Sequence, residues 1–158
     1  AKNYNFILLK KDRKKELYKG LIGKKNCILI KPLTFMNLSG LSVLETLNFY
    51  KIKTTDLYVI HDDLDLRLAK LKIKIGGSNG GHNGLASIDE FIGVNYNRIR
   101  FGIGRPIKKN LVSSYVLKKF LKSEEKLINN KIVKITENFE LIFANANLFL
   151  TRISERDK

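Results

Sequence analysis

The chain has 158 residues, 44% of them hydrophobic, and a formal net charge of +15 with an isoelectric point near 9.9. That is enough apolar material for one domain with a buried core, which excludes a disordered basic arm, and no apolar run reaches the length of a membrane span. The single cysteine, Cys27, excludes an internal disulfide and a thiolate zinc cluster, and its place in the run CILI predicts a buried structural thiol.

In chain order, KKDRKKELYKGLI (Lys10–Ile22) and NCILIKP (Asn26–Pro32) read as two strands joined at Gly23-Lys24-Lys25, with Pro32 stopping the second. Ser39 is placed to cap a helix running through LSVLETLNFYK to about Lys51, with Leu41, Leu44 and Leu47 at helical spacing. DLYVI (Asp56–Ile60) is a continuous apolar run of strand length, predicted to be buried on both faces, and HDDLD (His61–Asp65) follows at once. LAKLKIKI alternates apolar residues with Lys72 and Lys74, a period of two that gives a strand with a basic face. GGSNGGHNG (Gly76–Gly84) holds five of the chain's eleven glycines. A helix from Gly84 to Phe91 comes next, then NRIRFGIG, an alternating strand with Arg98 and Arg100 on one face. After Pro106, SYVLKKF reads as an extended or lid-like segment. Ser123-Glu124-Glu125 opens a helix with acids in its first turn, and Leu127, Ile128, Ile132, Ile135, Phe139 and Ile142 form its apolar stripe. Strands alternating with helices, with no repeat or linker, predict a single α/β domain over residues 1–158, its twisted, mixed and mostly parallel sheet flanked by helices.

The net charge admits two readings. A polyanionic partner such as nucleic acid would attract the lysines and arginines; alternatively, 23 of the 30 basic residues are lysine, abundant together with Asn and Ile as in an A·T-rich coding sequence. Position on the fold has to decide. No secretory leader is recognisable, so a cytoplasmic protein is expected.

HDDLD stands at the carboxyl end of a strand, where open α/β sheets place their ligand crevices. With two histidines and no second acidic cluster, the chain offers no metal-ligand set, and no metal is expected. A carboxylate here suits the orientation of a histidine that takes up a proton, whereas Asp63 and Asp65 read as turn formers. GGSNGGHNG matches neither the Walker pattern nor the dinucleotide fingerprint. Exposed amides at the helix start favour an anion or a polarised carbonyl, and His82 and Asn83 can hydrogen-bond a ribose or a peptide; a mobile flap over a bulky substrate is the other reading. Asn37, in TFMNLSG (Thr34–Gly40), is either a turn or cap residue or an amide pointing into the same crevice.

Taken in this order, TFMNLSG, VIHDDLDL, the lysine-bearing strand leading into GGSNGGHNGL, and RIRFGIGRP resemble bacterial-type peptidyl-tRNA hydrolase over Ile28–Pro106, with a looser likeness through the C-terminal helix. The resemblance implies a monomeric α/β enzyme without metal or cofactor. Such an enzyme cleaves the ester between a peptide's carboxyl end and the terminal ribose of tRNA, recycling tRNA from aborted translation. It further implies that Asn37 binds the peptide and helps place the attacking water, and that Asp62 orients the catalytic histidine. Asn83 would hold the water or the substrate carbonyl, and His82 would lie at the tRNA or peptide end of the crevice. Lys74 and Arg100 would clamp the 5′ phosphate of the acceptor stem, which suits a partner held by phosphate and shape.

The family's general-base histidine belongs to an N-terminal strand and loop with a TRHN-like pattern that this sequence does not contain, and neither His61 nor His82 matches it. His61 reads as a packing or supporting residue. The resulting expectation is an N-terminally incomplete domain, inactive by itself. Two other functions stay open: a noncatalytic RNA-binding relative of the same fold, of the kind some organelle splicing factors represent, and an acidic-site phosphohydrolase built on HDDLD.

Overall fold

Lys10 to Pro32 interleaves basic and apolar residues, and the computed structural model, which describes residues 4–154, folds this stretch into an antiparallel meander. Its strands are β1 (Ile7–Lys11), β2 (Lys15–Ile22) and β3 (Lys25–Pro32). The β2–β3 turn is Gly23-Lys24 alone, with Gly23 at φ +58° and Ile22 opposite Lys25. The expected single strand from Lys10 to Ile22 is corrected to two. Asp12 breaks it, because its Oδ1 accepts from the Lys14 and Lys15 amides at 2.8 and 2.9 Å and bends the chain. Cys27 is half-buried rather than buried, since the middle of β3 stays partly open; such burial as it has pushes its thiol above the ordinary value.

The helix that follows, α1 (Ser39–Tyr50), ends at Lys51 in the left-handed conformation, as expected. Its start differs from the expectation. A 3-10 turn over Met36–Leu38 leads in, Leu38 takes the cap position, and Ser39 is already helical, its hydroxyl donating back to the Met36 carbonyl at 2.9 Å. The buried face is Ser39, Gly40, Ser42, Val43, Thr46 and Leu47, while Leu41 is exposed. Gly40 explains the rotation. An added Cβ there would stand 2.1 Å from the Ser87 carbonyl oxygen, and the Gly40 amide donates to Ser87 Oγ at 3.0 Å. The glycine thus lets α1 lie directly on α2 (Asn83–Ile92), and Val43, Leu47, Leu85, Ile88 and Tyr96 close the core between the two helices. The Tyr96 hydroxyl, buried with its ring, donates to Asp89 Oδ1 at 2.8 Å.

Lys15 is buried on β2 and donates to Glu45 Oε2 at 2.8 Å and to the Ser42 carbonyl at 3.4 Å. The Lys15 bond is the main reason the Glu45 carboxyl is held below its ordinary value. Glu45→Ala leaves the buried ammonium without its counter-ion. We expect a loss of about 1–3 kcal/mol in urea unfolding, less than for a fully buried pair because Glu45 is 40% exposed and water screens it. Lys15→Met, which removes the charge and keeps the volume, should cost less.

These elements belong to one compact unit, comprising the described residues to Val59 together with Ile75–Asn97; the second unit comprises Ile60–Lys74 and the described residues from Arg98. The second sheet has the order β4-β6-β5, with β4 (Tyr58–Asp63), β5 (Leu71–Ile75) and β6 (Asn97–Gly102). The bonds Asn97 N to Leu57 O and Ile103 N to Asp63 O advance together, so β4 and β6 are parallel. Gly76 N to Tyr96 O and Gly102 N to Lys70 O run oppositely, so β5 is antiparallel to β6. The expected α/β class and mixed sheet are present, but the expected parallel majority is corrected. Strands joined by tight turns can pair only antiparallel, and a parallel pair needs a long crossover, such as the one between β4 and β6. The expectation that β4 is buried on both faces is also corrected, for it lies at the sheet's edge and Ile60 is 59% exposed.

The remaining helices of the second unit are α3 (Val112–Val116), α4 (Lys122–Asn138), α5 (Leu141–Ala144) and α6 (Ala146–Ser154). SYVLKKF therefore begins as helix rather than as an extended lid, and the Tyr115 hydroxyl anchors it to the Ile103 carbonyl at 2.7 Å. The acids of SEE occupy the first turn of α4 as expected, with Glu124 accepting from the Leu121 amide at 2.8 Å. The predicted stripe is split between α4 and α5. Ile128 and Ile142 are buried, and Phe139, at the break, meets Phe143 and Phe149 edge to face at centroid distances of 6.2 Å. Among the described residues no helix is long and apolar enough to cross a membrane.

Candidate active site

The first unit brings together Asn37, His82 and Asn83. The 3-10 turn carrying Asn37 packs on the start of α2, where Gly84 leaves room for Met36: a Cβ there would stand 2.6 Å from Met36 Sδ. Asn37 and Asn83 are exposed and His82 is half-buried. Gly80 and Gly81 take left-handed φ values of +61° and +81°, which only glycine adopts without strain, and turn the chain into this helix start. His82 then occupies the cap position. Its Nδ1 accepts from the Gly84 amide at 3.0 Å and the Leu85 amide at 3.2 Å, so Nδ1 carries no proton and the imidazole hydrogen is on Nε2. This corrects the expectation of an anion site at the helix start, because two of the amides that would face an anion already face an imidazole. The signal for it was available: a helix beginning at Asn83 puts His82 where a side-chain acceptor meets the second and third helical amides.

The second unit brings together Asp62, Asp63, Arg100 and the lysines of β5. Asp62 is half-buried at the end of β4, and its carbonyl accepts from His61 Nδ1 at 2.7 Å, which holds the His61 ring against the strand. Asp63, expected to be a turn former only, has two roles. Its Oδ1 accepts from the Asp65 amide at 2.9 Å, as a turn former's does, while Oδ2 accepts from Arg100 Nε at 2.7 Å. Burial pushes the Asp63 carboxyl up, but the Arg100 bond and the Asp65 amide outweigh it and hold the group ionised below its ordinary value. Arg105 pairs with Asp65 beside it.

The strand register follows from the bonds at the two ends of the β5–β6 pair and sets Lys72 opposite Arg100 and Lys74 opposite Arg98. Opposite residues share a face, so Lys72, Lys74 and Arg100 form one basic surface. Lys72 and Lys74 are exposed and Arg100 is half-buried, whereas Arg98 is buried and presents no charge to solvent. No motif singles out Lys72, although the period of two places it on the face of Lys74. Among the described residues no group of three or more His, Cys, Asp or Glu side chains could hold a metal ion.

A family model for peptidyl-tRNA hydrolase matches residues 1–157. The chain belongs to the peptidyl-tRNA hydrolase family. It is 48% identical over 146 residues to the peptidyl-tRNA hydrolase of Rickettsia canadensis, covering 92% of this chain and 79% of that one. To that of Rickettsia prowazekii it is 49% identical over 134 residues, 85% of this chain and 72% of the other. The crystal structure of peptidyl-tRNA hydrolase from Acinetobacter baumannii superposes with a TM-score of 0.88 at 33% identity, over 99% of this chain and 81% of that one. The comparisons lend no support to the expectation of a missing, base-bearing N-terminal segment, nor to that of inactivity. The noncatalytic RNA-binding alternative likewise gains no support. TFMNLSG and GGHNG carry the residues of the first-unit group, while HDDLD, LAKLKIKI and RIRFG carry those of the second.

Proposed function

We propose that this chain hydrolyses the ester joining a peptide's carboxyl end to the terminal ribose of tRNA, releasing both for reuse. Identity near 48% across most of the chain to proteins of that activity carries the reading. In the proposed reaction a water oxygen bonds to the ester carbonyl carbon while its proton passes to a general base that is neither His61 nor His82; the bond from that carbon to the ribose oxygen then breaks, and the base returns the proton to that oxygen. Asp62 supplies the negative charge that orients the base and steadies the positive charge it acquires. Asn37 and Asn83 are amides at one exposed turn and helix start, suited to hold the peptide, the water and the polarised carbonyl. His82, with its proton on Nε2, is a hydrogen-bond donor to substrate rather than a base. Lys74 and Arg100 receive the 5′ phosphate of the acceptor stem. The same reading makes the protein cytoplasmic, since its substrate is a product of translation, and a monomer, as the family resemblance implies.

Release of tRNA from a peptidyl-tRNA, compared with an aminoacyl-tRNA control, tests the activity; no release by the folded protein would refute it. Lys74→Ala and Arg100→Ala should each raise KM about tenfold, leave kcat within about threefold, and flatten the log–log salt dependence of kcat/KM by roughly one. Equal salt slopes for the parent and both variants would remove the phosphate clamp from the reading.

A further inference from the structure

The Asp63–Arg100 contact bears on how the basic surface recognises an anion. Arg100 lies on β6 with its guanidinium partly open, and Asp63 closes the end of β4 on the parallel neighbouring strand. A guanidinium has five N–H donors in a rigid plane. Asp63 Oδ2 takes the one on Nε, at 2.7 Å, and among the described residues no hydrogen bond engages the four on the terminal nitrogens. The carboxylate is itself fixed, because its other oxygen accepts from the Asp65 amide at 2.9 Å. A donor plane anchored at Nε by an immobile acceptor cannot swing freely, and the edge formed by its two terminal nitrogens is the one that meets two phosphate oxygens at once.

We propose that Asp63 is a positioning residue that presents the terminal-nitrogen edge of Arg100 to a phosphate monoester, and so sets the preference for substrates with a 5′ phosphate. This rests on the proposed role of Arg100. The Asp63 charge partly offsets that of Arg100, so its presence costs long-range attraction. A positioning role predicts that the geometric gain outweighs this loss, and a masking role predicts the reverse. The contrast makes the two separable. The low carboxyl value of Asp63 keeps the pair intact at neutral pH.

The test uses peptidyl-tRNA with a 5′ phosphate and the same substrate after phosphatase treatment, measuring kcat and KM for each. For Asp63→Ala we expect KM for the phosphorylated substrate to rise about tenfold with kcat within about twofold, and the preference for phosphate to fall toward one. Asp63→Asn keeps the shape and one acceptor oxygen, and should fall between the parent and Asp63→Ala; it carries the test if the alanine variant does not fold. A lower KM and steeper salt dependence in either variant would mean that the carboxylate masks Arg100, and would overturn the proposal. So would an unchanged phosphate preference in both Asp63 variants while Arg100→Ala loses it. If Arg100→Ala itself keeps the full preference, the clamp fails at its first step and the Asp63 proposal falls with it, an outcome recognisable because it appears in the arginine variant.

Discussion

Asp62→Asn is expected to lower kcat by about 10³- to 10⁴-fold while KM for peptidyl-tRNA stays within about threefold. The amide has nearly the volume of the carboxylate, so β4 and the chain around it keep their shape; only the charge goes. In the proposed mechanism that charge acts on the base and not on the substrate, so binding is spared. In the proposed transition state the base has accepted most of a proton from the attacking water, and its new positive charge must be met. Asp62 is half-buried, so water screens it less than it would a surface carboxylate and its charge acts more strongly on a neighbouring cation. An amide can also donate a hydrogen bond where the base requires an acceptor, which favours the wrong tautomer. Single-turnover rates at saturating enzyme isolate the chemical step. A loss below about tenfold, or a KM rise that accounts for it, would remove Asp62 from the catalytic machinery.

Gly40→Ala is expected to destabilise the protein by about 2–4 kcal/mol and to lower Tm by on the order of 10 °C. In an isolated helix alanine would be the better residue by about 1 kcal/mol, so propensity pulls the other way. The packing decides the sign. The added methyl would stand 2.1 Å from the Ser87 carbonyl oxygen and 2.7 Å from Phe91 Cδ2. The phenyl ring can turn aside, but the carbonyl is part of the α2 backbone and moves only with the helix. Parting α1 from α2 stretches the Gly40–Ser87 bond and loosens Val43 and Leu47 from Leu85 and Ile88. Asn37 precedes α1 and Asn83 opens α2, so the same displacement should reduce kcat/KM at temperatures where the variant is still folded. Ser87→Ala, which removes the hydrogen bond without adding volume, should cost about 1 kcal/mol. Urea unfolding of both variants checks the pair. Gly40→Ala at parental stability would mean that the helices have slack.

Much of this was legible in the residue order. The alternation of Lys72 and Lys74 with apolar neighbours declared a strand with a basic face, and Ser123-Glu124-Glu125 declared a helix start, because both signals are local and repeat at the period of the backbone itself. The four motifs in register carried the family, and with it the α/β class. The places where the reading failed share a cause. Ser39 looked like a cap, yet the turn before it and the glycine after it were settled by contact with Met36, Gly84 and Ser87, two of them nearly fifty residues away. Burial of β4 was inferred from apolar content, but a strand's faces are covered or left open by elements elsewhere in the chain.

Asp63 shows the division most clearly. Its local chemistry, an acid two residues before an amide it can accept from, was readable as a turn, and that bond is present. Its bond to Arg100, 37 residues along, depends on β4 and β6 lying side by side, which no periodicity states. Local residue order settled the period of most elements, the basic surplus and the family. Contact between distant segments decided which helix face is buried and which carboxylate holds which cation. Those outcomes depend on distances between residues that the chain keeps far apart until it folds.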